Sequence, residues 1–138
     1  MATACLHGYA AIGIADRNTL AGIVRAYAAF DSVELPAQKP KFLVGARLVF
    51  ADVTPDILAY PTDRAAYGNL CRLLTIGKLR AKKGACTLYL SDLLEWQEGL
   101  LLAAMPPLRG PLTKLRETLK TLRGVAADRV WLAAAMPR

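Results

Sequence analysis

A short apolar run that leads straight into polar residues and then into a helical pattern constrains this fold more than any other feature. Residues 10–15 are apolar and have the length of a buried strand, and Asp16, Arg17 and Asn18 follow them directly. The next apolar residues recur at the spacing of one helix face: Leu20, Ile23, Val24 and Tyr27. Asn18 has a side chain suited to the N-cap of that helix. This order predicts an α/β fold whose polar residues lie at the carboxyl end of a strand, where such folds build their sites.

The composition predicts one cytoplasmic domain without a membrane partner. With 138 residues, of which 54% are hydrophobic, the chain is long enough for one core whose strands are buried on both faces. No apolar run reaches the roughly 18 residues of a membrane helix, and the first residues lack the basic and apolar segments of a secretory signal. The three cysteines have no Cys-x-x-Cys spacing: Cys5, Cys71 and Cys86. Their odd number favours reduced thiols in a cytoplasm over disulfides or a zinc site.

The positive charge of the chain is concentrated in its second half. Residues 1–70 hold six Lys and Arg against six Asp and Glu, whereas residues 71–138 hold twelve against five, which accounts for the whole net charge of +7. The densest group, which we call the basic cluster, is Lys78, Arg80, Lys82 and Lys83. Such a cluster can contact DNA phosphates or another domain of a larger protein. It can equally be the solvated end of a helix, where cations suit the negative pole of the dipole.

The rest of the chain alternates between strand and helix patterns. Further strands are predicted at residues 42–50, 56–60, 100–105 and 129–136, and further helices at 63–83, 91–96 and 111–123. Thr62 or Asp63 is positioned to cap the first of these helices. The second and third strands are joined by so short a turn that they must form an antiparallel hairpin, whereas the last two strands, with a helix between them, are expected to be parallel. The predicted class is α/β, with a mostly parallel sheet and one antiparallel hairpin.

Five stretches of the sequence resemble the same protein family. They are residues 8–26, 43–48, 60–78, 83–84 and 92–95. The third of them is the most specific and has the sequence YPTDRAAYGNLCRLLTIGK. Together they resemble the polymerase-and-histidinol-phosphatase (PHP) domain of bacterial error-prone DNA polymerases, which are C-family enzymes related to the polymerase III alpha subunit.

The resemblance implies a partial, distorted β/α barrel of PHP type near the N-terminus of a much longer polymerase. It covers only the middle of such a domain, so residues 1–138 would form a single incomplete PHP-like domain that is truncated at both ends. The remaining domains of the parent polymerase would be its partners. Magnesium would be the cofactor of the parent enzyme, and this chain would hold none. Cut strand edges and exposed apolar faces would also favour self-association of the chain.

The same resemblance implies that an ancestral metal site has been lost. The PHP family has a histidine ligand where this chain has Arg17, and a glutamate where it has Arg47. A guanidinium has no lone pair to donate and stays charged at any relevant pH, so it repels a divalent ion. The single histidine, His7, matches no ligand position. We therefore regard Asp16, Arg17 and Arg47 as degenerate metal-site positions, and we expect no catalytic residue and no metal in this chain.

Two roles are open for the arginines at these positions. Each can pair with a nearby carboxylate, of which Asp16 is the obvious candidate, and so hold the old site closed. Alternatively, their charge can bind phosphate beside Asn18, where the N–H groups of a helix start would also point. The candidates for phosphate or DNA contact are therefore Asn18 and the basic cluster.

Three functions are compatible with these features. The leading hypothesis is a non-catalytic PHP segment of an error-prone DNA polymerase, whose parent would carry out translesion synthesis during DNA replication and repair. The second is a metal-dependent phosphoesterase of the PHP superfamily, which would need ligands that this chain lacks. The third is a small basic binding module that acts alone. The sequence has neither a Gly-rich phosphate loop nor a dinucleotide fingerprint that would suggest another class.

Overall fold

Strands and helices alternate along the computed structural model, which describes residues 3–4, 7–32, 39–108 and 111–134. The strands are β1 (Ala11–Arg17), β2 (Lys41–Leu48), β3 (Ile57–Pro61), β4 (Leu100–Ala104) and β5 (Val130–Leu132). The helices are α1 (Ile23–Asp31), α2 (Arg64–Arg80), α3 (Leu90–Trp96) and α4 (Thr113–Ala126). Each predicted strand and helix has a counterpart, although residues 135–136 of the last predicted strand lie outside the described residues. None of these helices is long and apolar enough to cross a membrane.

The five strands form one open sheet whose spatial order is the order of the chain, β1-β2-β3-β4-β5. β1 pairs with β2 and β4 with β5 in parallel, whereas β3 is antiparallel to both of its neighbours. The predicted hairpin and the predicted parallel pair at the end of the chain are confirmed. The sheet is mixed rather than mostly parallel, because one reversed strand inside a sheet creates two antiparallel pairings. β1 and β5 are its edges, so the described part of the chain does not close into a barrel.

The core lies on the face of the sheet that α2, α3 and α4 cover. Alternate residues of β3 and β4 are fully buried: Ile57, Ala59, Leu100 and Leu102. The helices add further fully buried leucines: Leu70, Leu73, Leu93 and Leu122. Leu101, which points the other way from β4, is 36% exposed. This alternation is typical of strands with one covered face, and it corrects the expectation of strands buried on both faces.

The helix ends agree with the sequence patterns in part. Asp63 caps α2 as predicted, since its Oδ1 accepts a hydrogen bond from Ala66 N at 2.8 Å. The predicted cap of α1 is wrong, because Gly22 holds the N-cap position and Asn18 lies before it with a left-handed φ of 49°. α2 ends at Arg80, earlier than predicted, because the next residue is extended.

A tyrosine ring on β3 lies across one glycine of β2 and one of β1. A Cβ added to Gly45 of β2 would come within 2.5 Å of the Tyr60 ring and 2.8 Å of the Ala59 carbonyl oxygen. On β1, a Cβ added to Gly13 would lie 2.9 Å from the Tyr60 hydroxyl oxygen. The missing side chains make room for the ring, and the resulting burial raises the pKa of Tyr60. One side chain of β3 therefore packs against two other strands.

Candidate functional site

Arg17 and Arg47 lie side by side at the carboxyl ends of β1 and β2. The two strands pair in parallel, with Arg17 opposite Arg47 and Asp16 opposite Ala46. Because successive residues of a strand point to opposite faces of the sheet, the two arginines share one face and Asp16 belongs to the other. The fold thus brings the two arginines together at the carboxyl ends of β1 and β2.

Arg47 forms an ion pair with Asp56, the residue just before β3. Its Nε donates to Asp56 Oδ2 at 2.7 Å, and its Nη2 contacts the same oxygen. The carboxylate partner of this arginine is therefore Asp56 and not Asp16. Both residues line a cavity of about 570 Å³, together with Asp52 and Lys114. We call the side of the sheet where this cavity lies, at the carboxyl ends of β1 and β2, the carboxyl edge.

Asp16 is directed towards the start of α1 instead. A Cβ added to Gly22, the N-cap of α1, would collide with Asp16 Oδ2. The positive pole of the helix favours a carboxylate at this place. Among the residues that the structure describes, Asp16 forms no ion pair with either arginine, and Arg17 has no carboxylate partner.

The described residues offer no set of metal ligands. Within them, no three histidine, cysteine, aspartate or glutamate side chains lie close enough together to hold an ion. Asp56 is held by Arg47. His7 stacks on Tyr9, with their ring centroids 5.8 Å apart.

Asn18 joins the end of β1 to the backbone that follows β2. Its Nδ2 donates to the Val49 carbonyl at 2.9 Å, and its Oδ1 accepts from Val49 N at 2.8 Å. Its own N–H donates to the Arg47 carbonyl at 2.9 Å. The residue is only 8% exposed, and its side chain continues the pairing of β1 with β2 one step further. The amide that the sequence suggested as a phosphate contact is thus engaged by the backbone.

The basic cluster divides into two parts with different surroundings. Arg80 forms a bidentate ion pair with Asp92, with Nη1–Oδ2 and Nη2–Oδ1 distances of 2.7 and 3.0 Å. The same guanidinium donates to the Thr87 carbonyl at 3.0 Å and lies 5.0 Å from the centroid of the Tyr89 ring. Arg80 therefore ties the end of α2 to the start of α3, and a carboxylate already neutralises its charge.

Two carboxylates hold the start of α3. Asp92 Oδ2 accepts from Tyr89 N at 2.9 Å, and Asp52 Oδ2 accepts from Leu90 N at 3.1 Å. The hydrogen bonds from Arg80 lower the pKa of Asp92 most strongly, and the bond from Tyr89 adds to them, so that together they outweigh the effect of burial. The ionised form of Asp92 is thus the one that the fold favours.

We expect Asp92→Asn to lower the stability at neutral pH and to have a smaller effect in acid. Because the pKa of Asp92 is lowered in the folded state, its stabilisation is complete above the ordinary value of about 3.9 and is lost as the pH falls through the folded-state pKa. Asparagine keeps an acceptor for Tyr89 N–H but removes the ion pair with Arg80. The expected fall in Tm is about 5 °C at pH 7, measured by thermal melts at pH 7 and pH 3.

The matched control for this prediction is Glu117→Gln. It removes the exposed ion pair between Glu117 and Lys114, whose Oε2–Nζ distance is 2.8 Å. An exposed pair of this kind contributes little, so we expect almost no change in Tm at either pH. An equal loss for Asp92→Asn at pH 7 and pH 3 would contradict the role given to Asp92.

The lysines of the basic cluster meet the polar turn after β1. They line a cavity of about 360 Å³ with the three residues that follow them in the chain and with one residue from a distant segment: Gly84, Ala85, Cys86 and Thr19. Thr19 follows Asn18 directly but lies far from Lys78 in the sequence. Sequence reasoning missed Thr19, although it belongs to a stretch that carries the resemblance. The fold therefore joins two features that the sequence presents separately.

Sequence comparisons relate the chain to error-prone DNA polymerases. It is 55% identical over 125 residues, or 91% of its length, to the error-prone DNA polymerase of Rhodopseudomonas palustris strain BisB5. It is 51% identical over 138 residues, covering 96% of its length, to that of Bradyrhizobium diazoefficiens, and 53% identical over 127 residues, or 91%, to that of Sinorhizobium medicae strain WSM419. No family model matches the sequence.

These relatives are much longer than the chain. The chain spans 11% to 12% of their length. This proportion is consistent with a segment of a larger protein. The resemblance to error-prone DNA polymerases is confirmed at this level.

Proposed function

We propose that this chain is a non-catalytic PHP-type segment of an error-prone DNA polymerase. The parent enzyme would extend DNA past damage with magnesium as its cofactor, and this segment would supply scaffold and domain contacts. The observation that carries the proposal is the ion pair of Arg47 with Asp56 at the carboxyl edge of the sheet. It lies where the PHP resemblance implies a metal ligand, in a chain similar to polymerases over nine-tenths of its length.

The electrostatics of this edge support a role without a metal. Arg47 places a permanent positive charge in the cavity, and Arg17 carries a second one at the opposite position on β1, outside the cavity lining. Two carboxylates line this cavity. The Asp56 carboxylate is already bound by Arg47, and the Asp52 carboxylate accepts from the backbone N–H groups of Thr54 and Leu90. A divalent ion at Asp56 would have to displace a charge-assisted hydrogen bond and then bear the repulsion of the Arg47 guanidinium.

The open edges of the sheet support a role as part of a larger assembly. β1 and β5 each have one side without a strand partner in the part of the chain that the structure describes. Such edges are commonly covered by further chain in native proteins. In a PHP-type barrel the covering segments would belong to the parent polymerase, and self-association of the isolated chain through the same edges stays a prediction.

We expect the purified chain to retain less than one equivalent of zinc or manganese after dialysis against either metal. Metal content is measured by plasma mass spectrometry, and hydrolysis of bis(4-nitrophenyl) phosphate is expected to stay at the rate of buffer. The double variant Arg17→His with Arg47→Glu restores two ligand types and should retain more metal than the wild type. Its matched control is Lys120→Glu with Arg123→His on α4, which should not.

The alternative functions predict different results. Stoichiometric metal in the wild type that is lost in Asp56→Ala would favour the phosphoesterase. The reading frame on both sides of the chain is expected to align with the same polymerase relatives. Stop codons directly beside the chain would favour the module that acts alone.

A further inference from the structure

The cavity between the turn after β1 and the end of α2 has only cations as charged groups in its wall. Lys78, Lys82 and Lys83 line it, and no carboxylate does. Within the described ranges, none of these lysines takes part in an ion pair or a side-chain hydrogen bond. Three lysine residues therefore line one space without an internal counterion.

The nearby carboxylate does not cancel this charge, because Arg80 neutralises Asp92 through two hydrogen bonds. Burial raises the pKa of the Cys86 thiol in the cavity wall, and the charges of Lys78 and Arg80 act against that effect. The positive potential thus reaches into the cavity.

The end of α2 does not need the lysine side chains to satisfy its backbone. The Lys78 carbonyl accepts from Ala81 N at 3.2 Å. The Gly77 carbonyl accepts from Thr87 N at 2.8 Å. The negative pole of the helix is equivalent to about half an elementary charge, whereas the cavity carries three positive ones. The solvated helix end therefore accounts for only part of this cluster.

Thr19 adds a hydrogen-bond donor to the same cavity. Its Oγ1 accepts a hydrogen bond from Ala21 N at 3.1 Å. With the oxygen engaged in this way, the hydroxyl hydrogen is left to donate to a ligand. One hydroxyl donor and three ammonium groups match the oxygen atoms of a phosphate, which accept strong charge-assisted hydrogen bonds.

We propose that this cavity binds a backbone phosphate of a DNA strand. Its volume of about 360 Å³ lies at the small end of ligand pockets, which measure about 300–1,000 Å³. No aromatic residue lines it, so it contacts the backbone without stacking on bases and without sequence preference. It shares no lining residue with the cavity at the carboxyl edge. The phosphate chemistry rests on the cavity alone, whereas DNA as its source rests on the proposed function.

The test is the affinity of the full chain for a fluorescein-labelled single-stranded oligonucleotide as a function of salt, measured by anisotropy. Three phosphate contacts predict that log K falls with log[salt] with a slope of about −2. The triple variant Lys78→Gln, Lys82→Gln, Lys83→Gln should bind about tenfold more weakly and lose most of that slope. The matched control Arg116→Gln, Lys120→Gln, Arg123→Gln removes the same amount of charge from α4. It should keep the wild-type affinity and the wild-type slope.

A second pair of variants tests the hydroxyl. Thr19→Val should lower the affinity about threefold with an unchanged slope, because it removes a hydrogen bond and no charge. Thr19→Ser should keep the wild-type affinity. Thermal melts of all variants show whether each one is folded. A loss for Thr19→Val equal to that for Thr19→Ser would overturn the assignment of the hydroxyl.

Pyrophosphate as a competitor distinguishes the two sources of phosphate. If it displaces the oligonucleotide only at far higher concentration, the ligand is a DNA backbone. If it binds through the lysines and the oligonucleotide does not bind, the ligand is a free phosphate compound. Binding of neither, or equal losses in the two triple variants, would overturn the inference. None of these outcomes alters the metal measurements, so a failure here is distinct from a failure of the proposed function.

Discussion

Gly45→Ala is expected to destabilise the protein by about 3 kcal/mol, because overpacking a closed site forces neighbouring atoms to move. The new Cβ would lie 2.5 Å from two atoms of the Tyr60 ring and 2.8 Å from the Ala59 carbonyl oxygen. The ring packs against two strands, and the carbonyl belongs to the backbone of β3. Neither group can therefore move away without a large energetic cost. Urea unfolding followed by circular dichroism measures the loss.

The matched control is Gly68→Ala in α2. A Cβ at Gly68 would meet nothing within 4 Å, and alanine is favoured over glycine in a helix by about 0.5–1 kcal/mol. The same substitution should thus stabilise the protein at one site and destabilise it at the other. In a double-mutant cycle, Tyr60→Ala should recover part of the loss caused by Gly45→Ala. Simple additivity of the two changes would show that the ring is not the obstacle.

Asn18→Ala is expected to have the second-largest effect, about 2–3 kcal/mol, because it removes two hydrogen bonds and leaves two backbone groups without their partners. Both bonds join the Asn18 amide to the backbone of Val49, at 2.9 and 2.8 Å. Alanine also tolerates the left-handed φ of 49° less well than asparagine does. The measurement is again the free energy of unfolding in urea.

Asn18→Gly separates these two causes. Glycine adopts the left-handed conformation freely, so it should lose the hydrogen bonds alone and be about 1 kcal/mol more stable than the alanine variant. Equal stabilities of the two variants would remove backbone conformation from the explanation. A loss below about 0.5 kcal/mol in both, the range of ordinary surface substitutions, would contradict the structural role of Asn18.

The sequence predicted the features that depend on neighbours in the chain. Asp63 caps α2 through a bond to a residue three positions later, which residue spacing alone reveals. The positions of the five strands follow from apolar runs for the same reason. The hairpin of β2 and β3 follows from the short turn between them, since no parallel connection fits so few residues.

The features that depend on strand register could not be predicted in this way. Asp16 looked like the partner of Arg17, but adjacent strand residues point to opposite faces. Arg47 forms its ion pair with Asp56 across the hairpin turn instead. Asn18 resembled an N-cap because its residue type suits both roles, and its left-handed backbone turned the side chain towards β2. Strand register depends on how the whole sheet packs, and a short stretch of sequence carries no information about that packing.

The surroundings of the basic cluster also could not be predicted, because they depend on residues that are far apart in the sequence. The four cations of the basic cluster are alike in the sequence, yet Arg80 is separated from the others by its ion pair with Asp92. The lysines share a cavity with Thr19 only because the fold brings the turn after β1 next to the end of α2. Composition indicated a basic surface. Only the three-dimensional contacts show that Arg80 is a structural cation and that the three lysines line a cavity.

The order of the strands in the sheet has a consequence for synthesis on the ribosome. Since spatial order equals chain order, each new strand can pair with the one that emerged just before it. No gap has to be kept open for a segment that is made later, and each arrival covers the edge left by its predecessor. Long-range pairing that must wait for distant chain is slow and exposes edges to aggregation. This sheet can instead grow in one direction while translation proceeds.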